Sequence, residues 1–276
     1  MRVVPNPTEL QRARGRAEVA FSFRHGRTRL DRLYQEGCGK ARLPRPDGSA
    51  PEVVLINMAG GVTGGDSLVW EVAAGNGTHI VATTQAAERV YRSTGGPARV
   101  ETRLRVGAGA TLDWLPQETI LFDAGRLDRR LEADLAGDAR LLALETVVLG
   151  RAAHGETVET GFLSDSWRIR REGRLIHAEA LRLDGDIAGA AAGEATLAGA
   201  RATTTLVAVG PGAGDRVDEA RGALVGLSGV RAAASAKAGD VLVVRMLASE
   251  ARPLRAALIR FLMAFRGAAL PRVWSS

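Results

Sequence analysis

The chain has 276 residues, 46% of them hydrophobic, enough to bury a full core in one large domain. Its formal net charge of +6 comes almost wholly from arginine, since Lys40 and Lys237 are the only lysines; with the arginines scattered and only 4% of residues aromatic, a stacking platform for nucleic acid is excluded as an expectation. A single cysteine, Cys38, excludes an internal disulfide framework and zinc sites built on paired thiolates, and reads as an incidental thiol in a glycine-flanked turn.

The opening MRVVPNPTELQRARGR has no apolar core followed by a small-residue cleavage site. No later stretch approaches the roughly 20 apolar residues of a membrane span, so a cytoplasmic chain without a membrane partner is expected. Strand patterns dominate to about residue 210. In residues 99–106, Val100, Thr102, Leu104 and Val106 alternate with Arg99, Glu101, Arg103 and Arg105, which predicts a half-buried strand. Gly107-Ala108-Gly109 turns the chain into a strand at 111–115. Further strands are predicted at 126–135, 140–149, 156–163, 167–171 and 175–183, with turns at Gly137-Asp138 and Glu172-Gly173. This rhythm predicts a mainly β fold of stacked or meandering sheets. Residues 43–51 and the Ala/Gly-rich 188–199 are the flexible candidates.

From about 211 the pattern changes to helix, hairpin, helix. Residues 215–227 place Val217, Ala220, Leu224 and Leu227 on one face, with Asp215 before them and Asp218 and Glu219 in the first turn. Residues 231–235 and 240–247 read as a hairpin about Ala238-Gly239. A second helix at 253–265 starts near Pro253 and carries Leu254, Leu258, Phe261, Leu262 and Phe265 on a stripe, widened by Ile259 and Met263. That breadth serves a core and a partner. The whole, 1–276, reads as a single domain.

The loop Gly60-Gly61-Val62-Thr63-Gly64-Gly65-Asp66-Ser67 has the outline of a phosphate-binding loop, but Asp66 stands where lysine would meet the phosphates. A carboxylate there repels a nucleotide; Asp66 and Ser67 either offer oxygen ligands to a cation or cap a tight turn. Glu145 interrupts the run LLALETVVL, apolar on both alternating faces, so its carboxylate is expected to be buried and to be protonated, paired with arginine, or met by water or metal. His177 and Glu179, two apart on a strand, share a face and could give a nitrogen and an oxygen to a divalent metal. No Gly-x-Ser-x-Gly elbow, His-Glu-x-x-His helix or intact phosphate loop occurs, so no enzyme is expected.

Three segments, GGVTGGDS at 60–67, TTQAAERVYRS at 83–93 and LPQETILFDAG at 115–125, with the ending Pro271-Arg272-Val273-Trp274, together resemble the urease accessory protein UreD family, called UreH in some bacteria. The resemblance implies a cytoplasmic, non-enzymatic assembly factor that binds the urease structural subunits, recruits accessory protein F and through it the GTPase G, and helps deliver nickel. It also implies nickel in transit through a polar passage with no stably bound cofactor. Carried onto this chain, the matching positions are Asp66, Ser67, Glu88, Glu145 and Glu179, to which the residue pattern adds His177. Ile259 and Met263 are the candidate partner contacts. The alternative is a scaffold that binds protein without touching metal.

Overall fold

Apolar residues at every second position give strands with one dry face. The computed structural model describes residues 11–45, 50–237 and 239–275, and from them builds seventeen strands and three α-helices. In chain order, β1 (Arg14–Arg24), β2 (Arg27–Gly37) and β3 (Gly39–Arg42) lead into β4 (Glu52–Asn57), β5 (Ser67–Ala74), β6 (His79–Thr84), β7 (Glu88–Val90) and β8 (Ala98–Val106). Then come β9 (Thr111–Trp114), β10 (Thr119–Leu121), β11 (Arg126–Leu135), β12 (Arg140–Leu149), β13 (Thr160–Arg171) and β14 (Arg174–Asp186). The remainder is α1 (Ile187–Ala192), β15 (Ala202–Val209), α2 (Val217–Leu224), β16 (Arg231–Lys237), β17 (Val241–Ala248) and α3 (Ala251–Arg266).

The strands form two stacked sheets. One runs β14-β13-β11-β8-β5-β1-β2; the other runs β16-β17-β15-β12-β9-β6-β4-β3, with β10 beside β12 and β7 beside β10. From β4 to β13 the long strands alternate between the sheets, so the chain winds as a flattened coil and neighbours within a sheet run parallel. Stacked sheets are therefore as expected, but the middle of each is not a meander, whose hairpins would give antiparallel neighbours. Antiparallel pairs finish the sheets, at β1–β2 and β13–β14 in the first and at β3–β4, β12–β15 and β15–β17–β16 in the second.

Parallel strands need cover, and the second sheet is covered on both faces. Between the sheets lies one core, with Leu104, Leu131, Trp167 and Val19 from the first sheet against Ile80, Leu112, Leu141 and Val207 from the second. The second sheet's other face packs Leu144, Leu206, Val244 and Met246 against α3. The first sheet's outer face is wet, which explains much of the arginine: Glu71 is met by Arg103 at 3.0 Å and Arg16 at 3.1 Å, and Asp128 by Arg130 at 3.0 Å. β8 alternates as expected, with Val100, Thr102, Leu104 and Val106 buried.

Several boundaries differ from expectation. The strands expected at 156–163 and 167–171 are one long β13 that starts only at Thr160, because the polar Ser164 and Ser166 lie on its solvent face while Asp165 faces inward. The stretch 188–199 is not a flexible linker: Asp186 accepts from the Gly189 N–H to start α1, and Ile187, Ala191 and Leu197 are buried. Of 43–51, residues 46–49 lie outside the described part, as does Ala238 in the hairpin turn. α2 is shorter than 215–227, since a 3-10 turn at Gly214–Arg216 precedes it and Asp215 is not its cap; Asp218 and Glu219 do occupy its first turn.

The C-terminal helix is a core element first. It buries Leu254, Ala257, Leu258, Phe261, Leu262 and Phe265, stacks the rings of Phe261 and Phe265 at 5.3 Å, and ends at Gly267 with φ of 63°, where a side chain would be strained. Ile259 is partly buried against the same core, whereas Met263 is 53% exposed, so the two residues proposed together for partner contact separate. Phe261→Ala should cost about 3–5 kcal/mol by cavity formation. Met263→Ala should stay within about 0.5 kcal/mol, both read by urea unfolding.

Candidate functional site

Inward positions that alternation reserves for apolar side chains carry charge at three neighbouring places. β11 turns Leu127, Leu131, Ala133 and Leu135 inward, and Arg129 with them, 3% exposed. β13 does the same with Asp165 among Leu163, Trp167 and Ile169, and β12 with Glu145 among Leu141, Ala143 and Val147. Arg129 and Asp165 are directly paired in the parallel ladder of the first sheet, and Arg129 reaches across the core to Glu145 of the second.

The geometry is tight. Arg129 Nη2 lies 2.6 Å from Asp165 Oδ2 with Nε 3.2 Å from Oδ1, while Nη1 lies 2.6 Å from Glu145 Oε2 and 2.9 Å from Thr119 Oγ1. Trp114 donates Nε1 to Glu145 Oε1 at 3.1 Å, and Trp167 donates to Asp165 Oδ1 at 3.2 Å. One guanidinium thus serves two buried carboxylates. Burial pushes the Glu145 carboxyl up, Arg129 pulls it down, and the charge of Asp165 pushes it up again, leaving it at about 7. Burial works against charge on Arg129, but Asp165 and Glu145 together outweigh it and hold the guanidinium protonated.

From this cluster a polar row runs both ways between the sheets. On one side a small cavity of about 30 Å³ is lined by Glu145, Arg129, Thr119, Thr102, Trp114, Thr84, Trp70 and Glu88. That is room for one or two water molecules. Trp70, Thr84 and Glu88 also line a second cavity of about 250 Å³, which reaches the surface at Gly60, Gln85 and Ala86. Glu88 stands at the neck between them. It accepts from Asn57 Nδ2 at 3.1 Å, but burial outweighs that bond and pushes its carboxyl up to about 7.

On the other side, Glu145 pairs in register with Thr205 and Thr205 with Arg245, while Trp167 pairs with Glu179. Arg245 and Glu179 meet across the sheets in an ion pair. His177 shares the inward face with Glu179, as the spacing predicts, and its Nε2 lies 3.9 Å from a Glu179 oxygen. It is 5% exposed, neither ring nitrogen has a hydrogen-bond partner, and burial lowers its pKa, so the imidazole is neutral. Among the described residues no three His, Cys, Asp or Glu side chains gather as metal ligands would.

The glycine loop sits at the surface end. Asp66 is buried and caps the loop, its Oδ1 accepting from the Ala13 N–H and its Oδ2 from the Thr63 N–H, both at 2.8 Å. Its charge adds to the upward push on Glu88, and Ser67 opens β5. Gly61 has φ of 146°, and a Cβ there would stand 2.4 Å from the Tyr91 ring. Tyr91 in turn donates its hydroxyl to Gly60 O at 3.1 Å, and Thr63 Oγ1 donates to Arg92 O at 2.8 Å, so the loop is sewn to the segment 83–93. The third segment joins through the C-terminus: the buried Trp274 donates Nε1 to Leu115 O at 3.2 Å and Thr83 Oγ1 at 3.3 Å, and Arg255 ties Gln117 and Glu118 to Trp274 O. Cys38 packs partly buried beside this region, and burial pushes its thiol up.

Comparison with known proteins agrees with this assembly of segments. Residues 13–275 match the family model described as UreD urease accessory protein. The chain is 50% identical over 276 residues to urease accessory protein UreD of Rhizobium etli, covering all of both chains. It is 51% identical over 271 residues to that of a Chelativorans species, covering 98% and 96%, and 47% identical over 270 residues to that of Agrobacterium fabrum, covering 98% and 93%. The chain belongs to the UreD family of urease accessory proteins.

Within this UreD fold, four of the residues singled out by sequence, Glu88, Glu145, His177 and Glu179, lie along one inter-sheet row, and Asp66 and Ser67 lie by its surface end. Ile259 and Met263 are on α3, on the far face of the second sheet. Arg129, Asp165, Trp114 and Asn57 escaped the sequence reading. Arg129 and Asp165 had a signal, since each breaks an apolar every-second-residue pattern as Glu145 does.

The pH dependence follows from Glu88. Its folded pKa lies above the ordinary 4.5, so the stability of its protonated form is full below pH 4.5 and is lost as pH rises through about 7. Glu88→Gln, which keeps the acceptor for Asn57, should be more stable than the native chain above pH 7, by about 1–2 kcal/mol. Thermal unfolding across pH should show the difference vanish below 4.5.

Proposed function

We propose that this protein is a cytoplasmic, non-enzymatic assembly factor that binds the urease structural subunits, engages accessory protein F and through it the GTPase G, and passes Ni²⁺ between its two sheets toward the urease active site. Nickel is cargo here, and no resident cofactor is needed. The observation that carries the reading is the succession of carboxylates Glu88, Glu145, Asp165 and Glu179 between the sheets, set in a mostly apolar interior. Spaced carboxylate oxygens and one neutral imidazole hold nickel weakly and exchange it, whereas clustered thiolates and imidazoles would trap it.

Each residue has a definite part. Glu88, with a pKa near neutrality, exchanges its proton for the cation at the neck. Glu145 is next, and it can release Arg129 without stranding that guanidinium, because Asp165 holds Arg129 by two hydrogen bonds of its own. Glu179 and His177 receive the ion at the far side, where Arg245 is 54% exposed and free to swing into solvent. Asp66 and Ser67 shape and charge the inlet. On the opposite face of the second sheet, Met263 and the margin of α3 at Ile259 give the accessory F protein an apolar contact.

A scaffold that never touches metal is the second reading, favoured by the complete hydrogen bonding of Glu145 to Arg129 and Trp114. Glu145→Gln separates the two. Under the nickel reading, the variant folds and binds urease and the F protein, yet urease matured with it carries less nickel, and less again with Glu179→Gln. Under the structural reading, Arg129 keeps Asp165 but loses its charge-assisted bond to Glu145, and a loss of about 1–3 kcal/mol in stability precedes any maturation defect. A stable double variant that matures fully nickel-loaded urease excludes these carboxylates as the route.

Partner contact is tested by Met263→Glu, with Ile259→Glu added second because Ile259 also supports the core. Co-purification with the F protein should fall by tenfold or more, about 1.4 kcal/mol or above, with circular dichroism unchanged. Undiminished capture by the folded double variant removes α3 from the interface.

A further inference from the structure

β2 is the last strand of the first sheet, and its outer edge pairs with no strand among the described residues. At 11 residues, without proline, it is a long open edge. The second sheet ends beside it in the four-residue β3, so the inward side of β2 is only partly covered: Gln35 accepts from the Ala41 N–H at 2.9 Å and Thr28 from the His79 N–H at 3.3 Å, while the leucines between them stay exposed. Leu30 is 44% exposed although its ladder partner Phe21 is buried, and Leu33 is 40% exposed although its partner Val19 is fully buried. Phe23, on the adjoining strand, is 52% exposed.

The order of residues along this edge identifies its occupant. A bulge leaves Asp31 as the extra residue opposite the Ala20/Phe21 step, so Thr28, Leu30, Leu33 and Gln35 lie on the inward face and Arg27, Arg29, Arg32, Tyr34 and Glu36 on the outward face. Set antiparallel against itself with Leu30 opposite Leu33 of a second copy, the strand is complementary throughout. Thr28 then meets Gln35, Arg29 meets Tyr34, Asp31 meets Arg32 and Arg27 meets Glu36. Inward faces inward and outward faces outward at each pair that flanks the central Asp31 and Arg32, which a slip of one residue would destroy. Parallel pairing in register would instead set Arg27 and Arg29 against their own copies.

We propose that a second copy of this chain docks on β2 through β2, about a two-fold axis at Asp31 and Arg32, making one continuous sheet from two first sheets. Such an interface is self-matching and closes at the dimer. The exposed leucines are buried against each other, and Arg27, which has no ion pair within the chain among the described residues, gains the carboxylate of Glu36. Asp31 and Arg32 already have ion-pair partners in Arg24 and Glu18, whereas Glu36 accepts from the Tyr34 hydroxyl at 2.9 Å but has no ion pair among the described residues, so Arg27 and Glu36 carry more of the charge selectivity.

Sedimentation velocity of the purified full chain over a concentration series tests this. The native chain should pass from monomer to dimer. Arg27→Glu and Glu36→Arg, each placing like charges together at two symmetry-related pairs, should each weaken dimerisation by about tenfold or more. The double variant Arg27→Glu/Glu36→Arg should recover it, since the pair is then re-formed with reversed sign. Amide hydrogen exchange needs no variant: amides of residues 27–37 should gain protection with concentration. A chain that stays monomeric with unchanged exchange there, a dimer indifferent to the single reversals, or a double variant no better than the singles would each overturn the proposal, the first leaving the edge to a different chain.

Discussion

A charge held between two sheets must be met at short range, because water is excluded and an unpaired carboxylate there costs several kcal/mol. Arg129 meets that requirement for two carboxylates at once, one from each sheet. Its position fixes the spacing of β11 and β13 against β10 and β12 where charge interrupts the apolar core. With one positive charge between two acids and the Glu145 carboxyl raised to about 7, the cluster gains net negative charge as Glu145 ionises. In the nickel reading proposed above, that charge is what a cation would meet.

The surrounding architecture keeps the row narrow. Parallel winding sets Arg129 beside Asp165 at matching height, and the antiparallel pairs that finish the second sheet set Glu145 beside Thr205 and then Arg245. Trp70, Trp114 and Trp167 wall the row with apolar rings, two of which also donate an indole N–H to its carboxylates. The helices take no part in it. α1 packs Ile187 and Ala191 into the inter-sheet core beside β13 and β14, and α2 and α3 close the other face of the second sheet, where a separate buried pair, Asp113 with Arg266, anchors the end of α3.

Much of this was legible in the sequence because the period of two is strong. β11 and β12 have the boundaries that alternation gives, and Glu145 announced itself by breaking an apolar run. Parallel pairing was not legible, since alternation within a strand does not depend on the direction of its neighbour. Nor was the partner of Glu145: Arg129 is one of many arginines, and the choice among them is made by inter-sheet distance. The bulge that sets the register of β2 is likewise a tertiary feature, invisible in RTRLDRLYQEG alone. The family segments were recognisable as separate motifs, and the structure explains their co-occurrence, as the loop at 60–67, the segments at 83–93 and 115–125 and Trp274 lock one another in place.

The central claim is that the row between the sheets admits nickel. Its most direct test is anomalous scattering at the nickel edge from crystals of this protein bound to urease and soaked in Ni²⁺. The account predicts partial-occupancy peaks beside Glu88, Glu145 and Glu179. Nickel found only on outer surfaces, with the inter-sheet row empty at saturating metal, would contradict it.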